Sequence, residues 1–387
     1  MSKIPSTLPS VEKTDLPEET KFEEPKAEIR KDRNRTVWII VLAFALLASL
    51  GVIVWFIFSG RADQRIHGDN LEAFLGNVED APKTDKLDNI DPGVVVNDTE
   101  INLTDYDSNI TITAPGTHTL SGILNYAVLV NASGAVTLNL NGVTISSVET
   151  AAIANQTTSP LIVNLLENTT NTLTDGGSSV YDGALFSKGA LEINGLGADS
   201  TLGKLVVSGR QKSGEGISTD SADITINSGK IMVSSVDDGI NAGGSSASIT
   251  INGGILWVKA GGDGLDSNAK ITISGGNLLV IGSAEGKDGA LDGDQGIIIN
   301  GGNVVALGTA ALVAPEATSA QKSLSVGLTE TVKTGSTVYI RNRTTERVFN
   351  FKTEGDFSTL IFSSPSLTAG EYSIELDGRV VGTGTVD

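Results

Sequence analysis

Between Ile224 and Gly308, apolar and polar residues alternate in short runs that repeat. Four segments, ITINSGKIMV from Ile224, ITINGGILWV from Ile249, ITISGGNLLV from Ile271 and IIINGGNVVA from Ile297, align at separations of 25, 22 and 26 residues. Each has a period-2 run of strand length, a glycine turn and a second strand, with no helix-period stretch between them. The repeat is too short for a propeller blade and predicts coils stacked along one axis. In such a stack Ile224, Ile249, Ile271 and Ile297 point inward with Ile226, Ile251, Ile273 and Ile299, while Thr225, Thr250 and Thr272 point out, coil above coil at ~4.8 Å. Asn227, Asn252, Ser274 and Asn300 precede glycine corners, where left-handed backbone is needed and stacked Asn side chains hydrogen-bond as a ladder. The predicted fold is all-β, a single-stranded right-handed parallel β-helix.

Looser copies lie upstream at GEGISTDSADITI from Gly214, YDGALFSKGALEI from Tyr181 and LNLNGVTISS from Leu138, so the β-helix is expected over residues 99–314. Pro160 is the only proline from Gly116 to Ala314, as suits backbone donors committed to neighbouring coils. Residues 320–387 lose the repeat, and SLSVGL, STVYIRN, RVFNFK, TLIFSS and EYSIEL read as antiparallel strands of a small C-terminal β module that caps the last coil.

At the other end, Val37 to Ser59 is an uncharged apolar run with Trp38 and Trp55 near its ends, the pattern of one transmembrane helix. Residues 1–36 carry equal numbers of acidic and basic side chains and four prolines, the composition of a disordered tail. Lys26, Arg30, Lys31, Arg33 and Arg35 precede the run and only Arg61 and Arg65 closely follow it, so the tail is expected in the cytoplasm. Residues 60–98 read as a linker, and the β-helix as the extracellular part of a single-pass protein of the cell membrane. A cleaved signal peptide is the competing reading; the length of the preceding tail and the lack of a clear A-x-A site oppose it.

Composition narrows the chemistry. The chain has no cysteine and two histidines, His67 and His118, which removes thiolate metal sites and makes histidine-based triads improbable. Its net charge of -19 repels a phosphate backbone and argues against nucleic acid as a partner. Residues 215–294 hold eleven carboxylates against four lysines. Asp238, Asp263 and Asp288 each precede glycine at separations of 25, which predicts one acidic corner on successive coils. Carboxylates about 5 Å apart repel by about 3 kcal/mol per pair at an effective dielectric near 20. Ca2+, with oxygen ligands in flexible geometry, is the expected neutralising cofactor, and Asp237, Asp238, Asp263, Asp266, Asp288, Asp292 and Asp294 are its candidate ligands. The alternative is that these side chains bond their own turns or face solvent. GGDGLD at Gly261 matches one nonapeptide of a calcium repeat but at the wrong period, and Asp292-Gly-Asp294 lacks the rest of an EF-hand loop.

The same alignment places Met232, Trp257, Leu279 and Val305 in an outward row. Trp257, with Lys259 beside it, is then a candidate sugar-stacking platform, unless the C-terminal module covers the row. Calcium-dependent lyase chemistry would need a base, and Lys188, Lys212, Lys259, Lys270 and Lys287 are the nearby lysines, none singled out by spacing.

At DDGINAGG, ITINGG, GGDGLDSN, ITISGG and DGALDGDQG the sequence resembles a family of bacterial carbohydrate-binding domains with a calcium-binding, polysaccharide-lyase-like parallel β-helix. The resemblance runs from about Ile110 through FSTLIFSSPSLTAGEYSIEL. It implies a surface protein that binds plant-type or acidic polysaccharides without a demonstrated hydrolytic role. It carries over to Asp238-Gly239, Asp263-Gly264 and Asp288-Gly289, while Glu215-Gly216 departs from the family's Asp-Gly turn. Three functions follow as expectations: calcium-dependent binding of extracellular polysaccharide, a calcium-dependent polysaccharide lyase, and a structural surface or adhesion module.

Overall fold

The computed structural model describes residues 90–176, 181–210, 214–344 and 347–387. The expected cytoplasmic tail and transmembrane helix, and most of the linker, lie outside these residues. Among the described residues no helix is long and apolar enough to cross a membrane.

The chain is all-β. Its single helical element among the described residues is a 3-10 turn at Leu103–Asp105, capped by Asn102, whose Oδ1 accepts from Thr104 N. Nine strands form one parallel sheet, from Val94–Val95 through Ile153–Asn155, Gly183–Ser187, Glu215–Thr219, Ile240–Ala242 and Leu265–Ser267 to Leu291–Gly293. A second sheet of seventeen strands contains two further parallel runs. One pairs Ile224–Ile226, Ile249–Ile251, Ile271–Ile273 and Ile297–Ile299 in succession. The other pairs Lys230–Ser235, Ile255–Ala260, Asn277–Ile281 and Asn303–Gly308. The chain therefore visits the same positions once per repeat, each visit adding a strand beside the previous one.

The stack follows from the alternation. Ile224, Ile249, Ile271 and Ile297 are register partners and fully buried, as are Ile251, Ile273 and Ile299. The intervening Thr225, Thr250 and Thr272 are half-buried on the outer face. β-branched residues suit a pleated, half-buried surface, and each fully buried Ile contributes roughly 1.5–3 kcal/mol of apolar burial. Gly254, Gly276 and Gly302 close the corners at φ +89, +91 and +88, the left-handed backbone predicted after Asn252, Ser274 and Asn300. The Asn ladder extends upstream of the repeat but stops at Asn252: Ser274 stands next in register, and Asn300 Oδ1 accepts from Ala320 N instead. Asn252 Nδ2 donates to Asn227 Oδ1 at 2.8 Å, and the chain of amides continues through Asn194 and Asn164 to Asn139.

The parallel register ends at Asn303–Gly308, which pairs antiparallel with Phe357–Ser363; that strand also pairs with Ser323–Val332. Thr337–Asn342, Arg347–Lys352, Gly370–Leu376 and Arg379–Val386 form a separate antiparallel sheet of four. The last strand was not evident in the sequence because Gly382 and Gly384 interrupt it. There the missing side chains make room, since a Cβ on Gly382 would lie 2.7 Å from Leu328 and one on Gly384 2.8 Å from Leu324.

The outward apolar row has the expected register, Met232 beside Trp257, Leu279 and Val305. It is covered, however. Trp257 is only 7% exposed and Met232 4%, and Leu279 and Val305 pack with the apolar cluster of the C-terminal strands. The reading of Trp257 as a sugar platform is corrected on that ground, because a continuous apolar ladder is buried rather than offered to solvent. Lys259 is exposed, beside Ser234 and Ile281, and so has no exposed indole to work with.

Candidate metal centre

The acidic residues gather on the outer face of the nine-stranded sheet, and two columns build the site. Backbone bonds from Gly216 N to Asp238 O, Gly239 N to Asp263 O and Gly264 N to Gly289 O stack Glu215, Asp238 and Asp263 in one column. Glycine is needed beside each of them for close approach: a Cβ on Gly264 would sit 2.2 Å from Val280 Cγ1 and 2.5 Å from Ala290 O. Strand register builds the second column, in which Ser218 pairs with Asn241, Asn241 with Asp266 and Asp266 with Asp292.

The columns converge at the later coils. Carboxylate oxygens of Asp263, Asp266 and Asp292 lie within 4.8 Å of one another. Asp263 is buried, and its Oδ1 accepts from Gly289 N, while its own N–H donates to Asp238 Oδ1 at 2.7 Å. One coil earlier the equivalent of Asp266 is Asn241, whose Nδ2 donates to Glu215 Oε1 at 2.6 Å and to Asp238 Oδ2 at 3.1 Å. Asn241 Oδ1 is buried without a hydrogen-bond partner. Asn241 escaped the sequence reading, although INA, LDS and LDG at Ile240, Leu265 and Leu291 are the aligned signal that would have found it.

Asp288 does not occupy the expected place. From Ile240 to Leu265 the register advances 25 residues, but from Leu265 to Leu291 it advances 26. The extra residue brings Gly289-Ala290, not Asp288-Gly289, into line with Asp263-Gly264, so the three Asp-Gly turns do not stack as one column. Asp288 still acts through its charge on Asp237, Asp238, Asp263, Asp266 and Asp292. Asp294 adds to the field at Asp266 and Asp292, and Asp237 to that at Asp238.

Burial and mutual repulsion raise these groups above the ordinary carboxylate range. Burial first, offset in part by the neighbouring N–H, and then adjacent carboxylates push Asp238 and Asp263 up to about 7. Asp266 rises to about 6 through burial and then Asp292 and Asp294, and Asp292 and Asp237 rise for the same kinds of reason. Glu215 is raised furthest, by burial and then Asp182. Among the described residues none of the seven candidate aspartates forms a salt bridge. Lys270 pairs with Glu316 at 3.2 Å and Lys188 lies over the Tyr181 ring, while Lys212 is outside the described residues.

An all-oxygen donor set of converging carboxylates that carry excess negative charge fits a hard divalent cation. Asp263, Asp266 and Asp292 would hold it, with Asp238 supporting Asp263 from the coil before.

A family model described as carbohydrate-binding domain-containing protein matches residues 106–348. No curated protein matches the chain. Among solved structures, a polysaccharide lyase-like protein from C. thermocellum, studied as a gadolinium derivative, is similar at 23% identity, over 51% of this chain and 84% of that one, with a TM-score of 0.40.

Proposed function

The chain belongs to the carbohydrate-binding domain-containing protein family, and from that premise we propose that it is a calcium-dependent, membrane-anchored polysaccharide-binding protein. In this reading the stacked coils are a right-handed single-stranded parallel β-helix held outside the cell by the apolar run at Val37 to Ser59. The observation that carries the calcium reading is the convergence of Asp263, Asp266 and Asp292 within 4.8 Å.

Calcium held there supplies positive charge that can also accept a carboxylate oxygen from an acidic sugar. The chain's own residues do the rest. Asp263 is fixed by Gly289 N, and the strand register fixes Asp266 beside Asp292, so the ligands need little reordering on binding. Since the protein is itself acidic, an acidic polysaccharide is repelled unless a cation lies between them.

The test adds polygalacturonate to the full-length chain with and without calcium, recording heat and the absorbance of unsaturated uronate together. Heat that requires calcium, without product, is expected. Product that disappears with chelator would make the protein a lyase, and neither signal across a panel of acidic and neutral glycans would overturn the binding reading.

A further inference from the structure

The outward row begins before Met232, since register places Val206 ahead of it and Thr172 ahead of Val206. Leu279 and Val305 lie under the apolar cluster of the C-terminal strands, but among the described residues Val206, Met232 and Trp257 belong neither to that cluster nor to the interior one. They are nevertheless 8%, 4% and 7% exposed, and Trp257 Nε1 is buried with no hydrogen-bond partner among the described residues. Side chains on the outer face of a sheet reach such burial only under another layer. We propose that this layer comes from the linker of the same chain, whose acidic amphipathic segment, residues 71–78, docks on Val206, Met232 and Trp257 and straps the linker to the stack.

The face suits such a segment in width and charge. Beyond Val206 the row opens again, with Thr172 half-buried and Thr144 exposed. The step from Val206 to Trp257 is two coil spacings, about 10 Å, the width of one α-helix. Strands Lys204–Gly209, Lys230–Ser235 and Ile255–Ala260 carry Lys204, Lys230 and Lys259 and no carboxylate, in a chain of net charge -19. Lys204 and Lys230 are register partners, and burial, then Lys230, lowers Lys204 to about 8. Two neighbouring lysines beside a covered apolar row favour a negatively charged cover.

The linker supplies that counterpart in its sequence. Leu71, Phe74, Leu75 and Val78 fall at i, i+3, i+4 and i+7, one helical stripe. Asp69, Glu72, Glu79 and Asp80 surround it, with no Lys or Arg from Ile66 to Pro82. The longer apolar run at Val37 to Ser59 has no charge to meet the lysines. Length and starting point also agree. Ile90 packs against the apolar cluster of Leu129 and Phe186 on the nine-stranded sheet. From Leu129 to Ser218, on the coil of Met232, is three coil spacings, about 14 Å. The chain from Val78 to Ile90 extends to about 40 Å, enough to pass around a coil as well.

The test uses the full-length chain in detergent micelles. In a Trp38→Phe/Trp55→Phe background Trp257 is the one remaining tryptophan, and acrylamide quenching of its fluorescence reports the cover. Leu71→Asn/Phe74→Asn should raise the quenching constant several-fold. A second arm keeps the apolar stripe and uses the absence of native cysteine: Ala73→Cys is paired with Ser208→Cys, two residues from Val206, or with Ile123→Cys, exposed one coil before Leu129. A docked segment forms the disulfide at position 208 faster, whereas a linker swinging free from Ile90 favours position 123. Quenching that matches the parent, a faster disulfide at position 123, or a disulfide between two chains overturns the proposal, the last by making a second copy the cover.

Discussion

Asp266 and Asp292 are direct register partners on adjacent parallel strands, and Asp263 completes with them a group of carboxylates within 4.8 Å. Like charges at such positions destabilise a sheet unless they are protonated or share a cation. The fold can therefore be held in acid by protons, or near neutrality by an ion.

The first prediction concerns the ion-free chain. Asp238 and Asp263 are raised to about 7 and Asp266 to about 6, whereas an unfolded Asp titrates near pH 3.9. The folded state then binds more protons than the unfolded state across this window, so stability falls as pH rises. The contribution is fully present below about pH 4 and is lost through about pH 6–7. Melting in EDTA should show a lower midpoint at pH 8 than at pH 5; a midpoint that rises over this range contradicts the cluster's electrostatics.

Calcium should reverse that loss. At a hundred times its dissociation constant a ligand specific to the folded state stabilises by about 2.7 kcal/mol. Asp266→Asn/Asp292→Asn should abolish this gain and, by removing repulsion, raise the ion-free midpoint at pH 8. A variant that still responds fully to calcium would place the ion elsewhere.

Gly264→Ala should destabilise the chain, since the added Cβ meets the Ala290 carbonyl at 2.5 Å and Val280 at 2.2 Å. The displacement falls between Asp263 and Asp266, so calcium affinity should drop together with the melting point. The same substitution at Gly327, whose Cβ would meet nothing within 4 Å, should be mild by comparison.

Trp257→Ala should act on folding rather than on sugar. The side chain is 7% exposed, and truncating a buried aromatic typically costs about 3–5 kcal/mol. Denaturant titration should show the loss, while glycan affinity measured well below the melting point should match the parent.

Much of the stack was legible because its cause is local. The ITI runs at Ile224, Ile249 and Ile271 encode inward Ile, outward Thr and the glycine corner in a few adjacent residues, and register then follows from repetition. Two features were not legible, for different reasons. The stacking of Asp288 depended on one inserted residue between Leu265 and Leu291, whose effect appears only when strands are paired. The burial of Trp257 and Met232 likewise depends on what lies over them, which the strand pattern does not record. Asn241 was hidden for a simpler reason: an amide in an acidic column carries no charge to draw attention, although it pairs with Asp266.

The central claim is that Asp263, Asp266 and Asp292 hold the calcium through which acidic polysaccharide binds. The most direct measurement is calorimetric titration of the full-length parent and of Asp266→Asn/Asp292→Asn, first with calcium and then with polygalacturonate in calcium. The account predicts that the variant loses both heats while remaining folded. Retention of polygalacturonate binding by a variant that no longer binds calcium would contradict it.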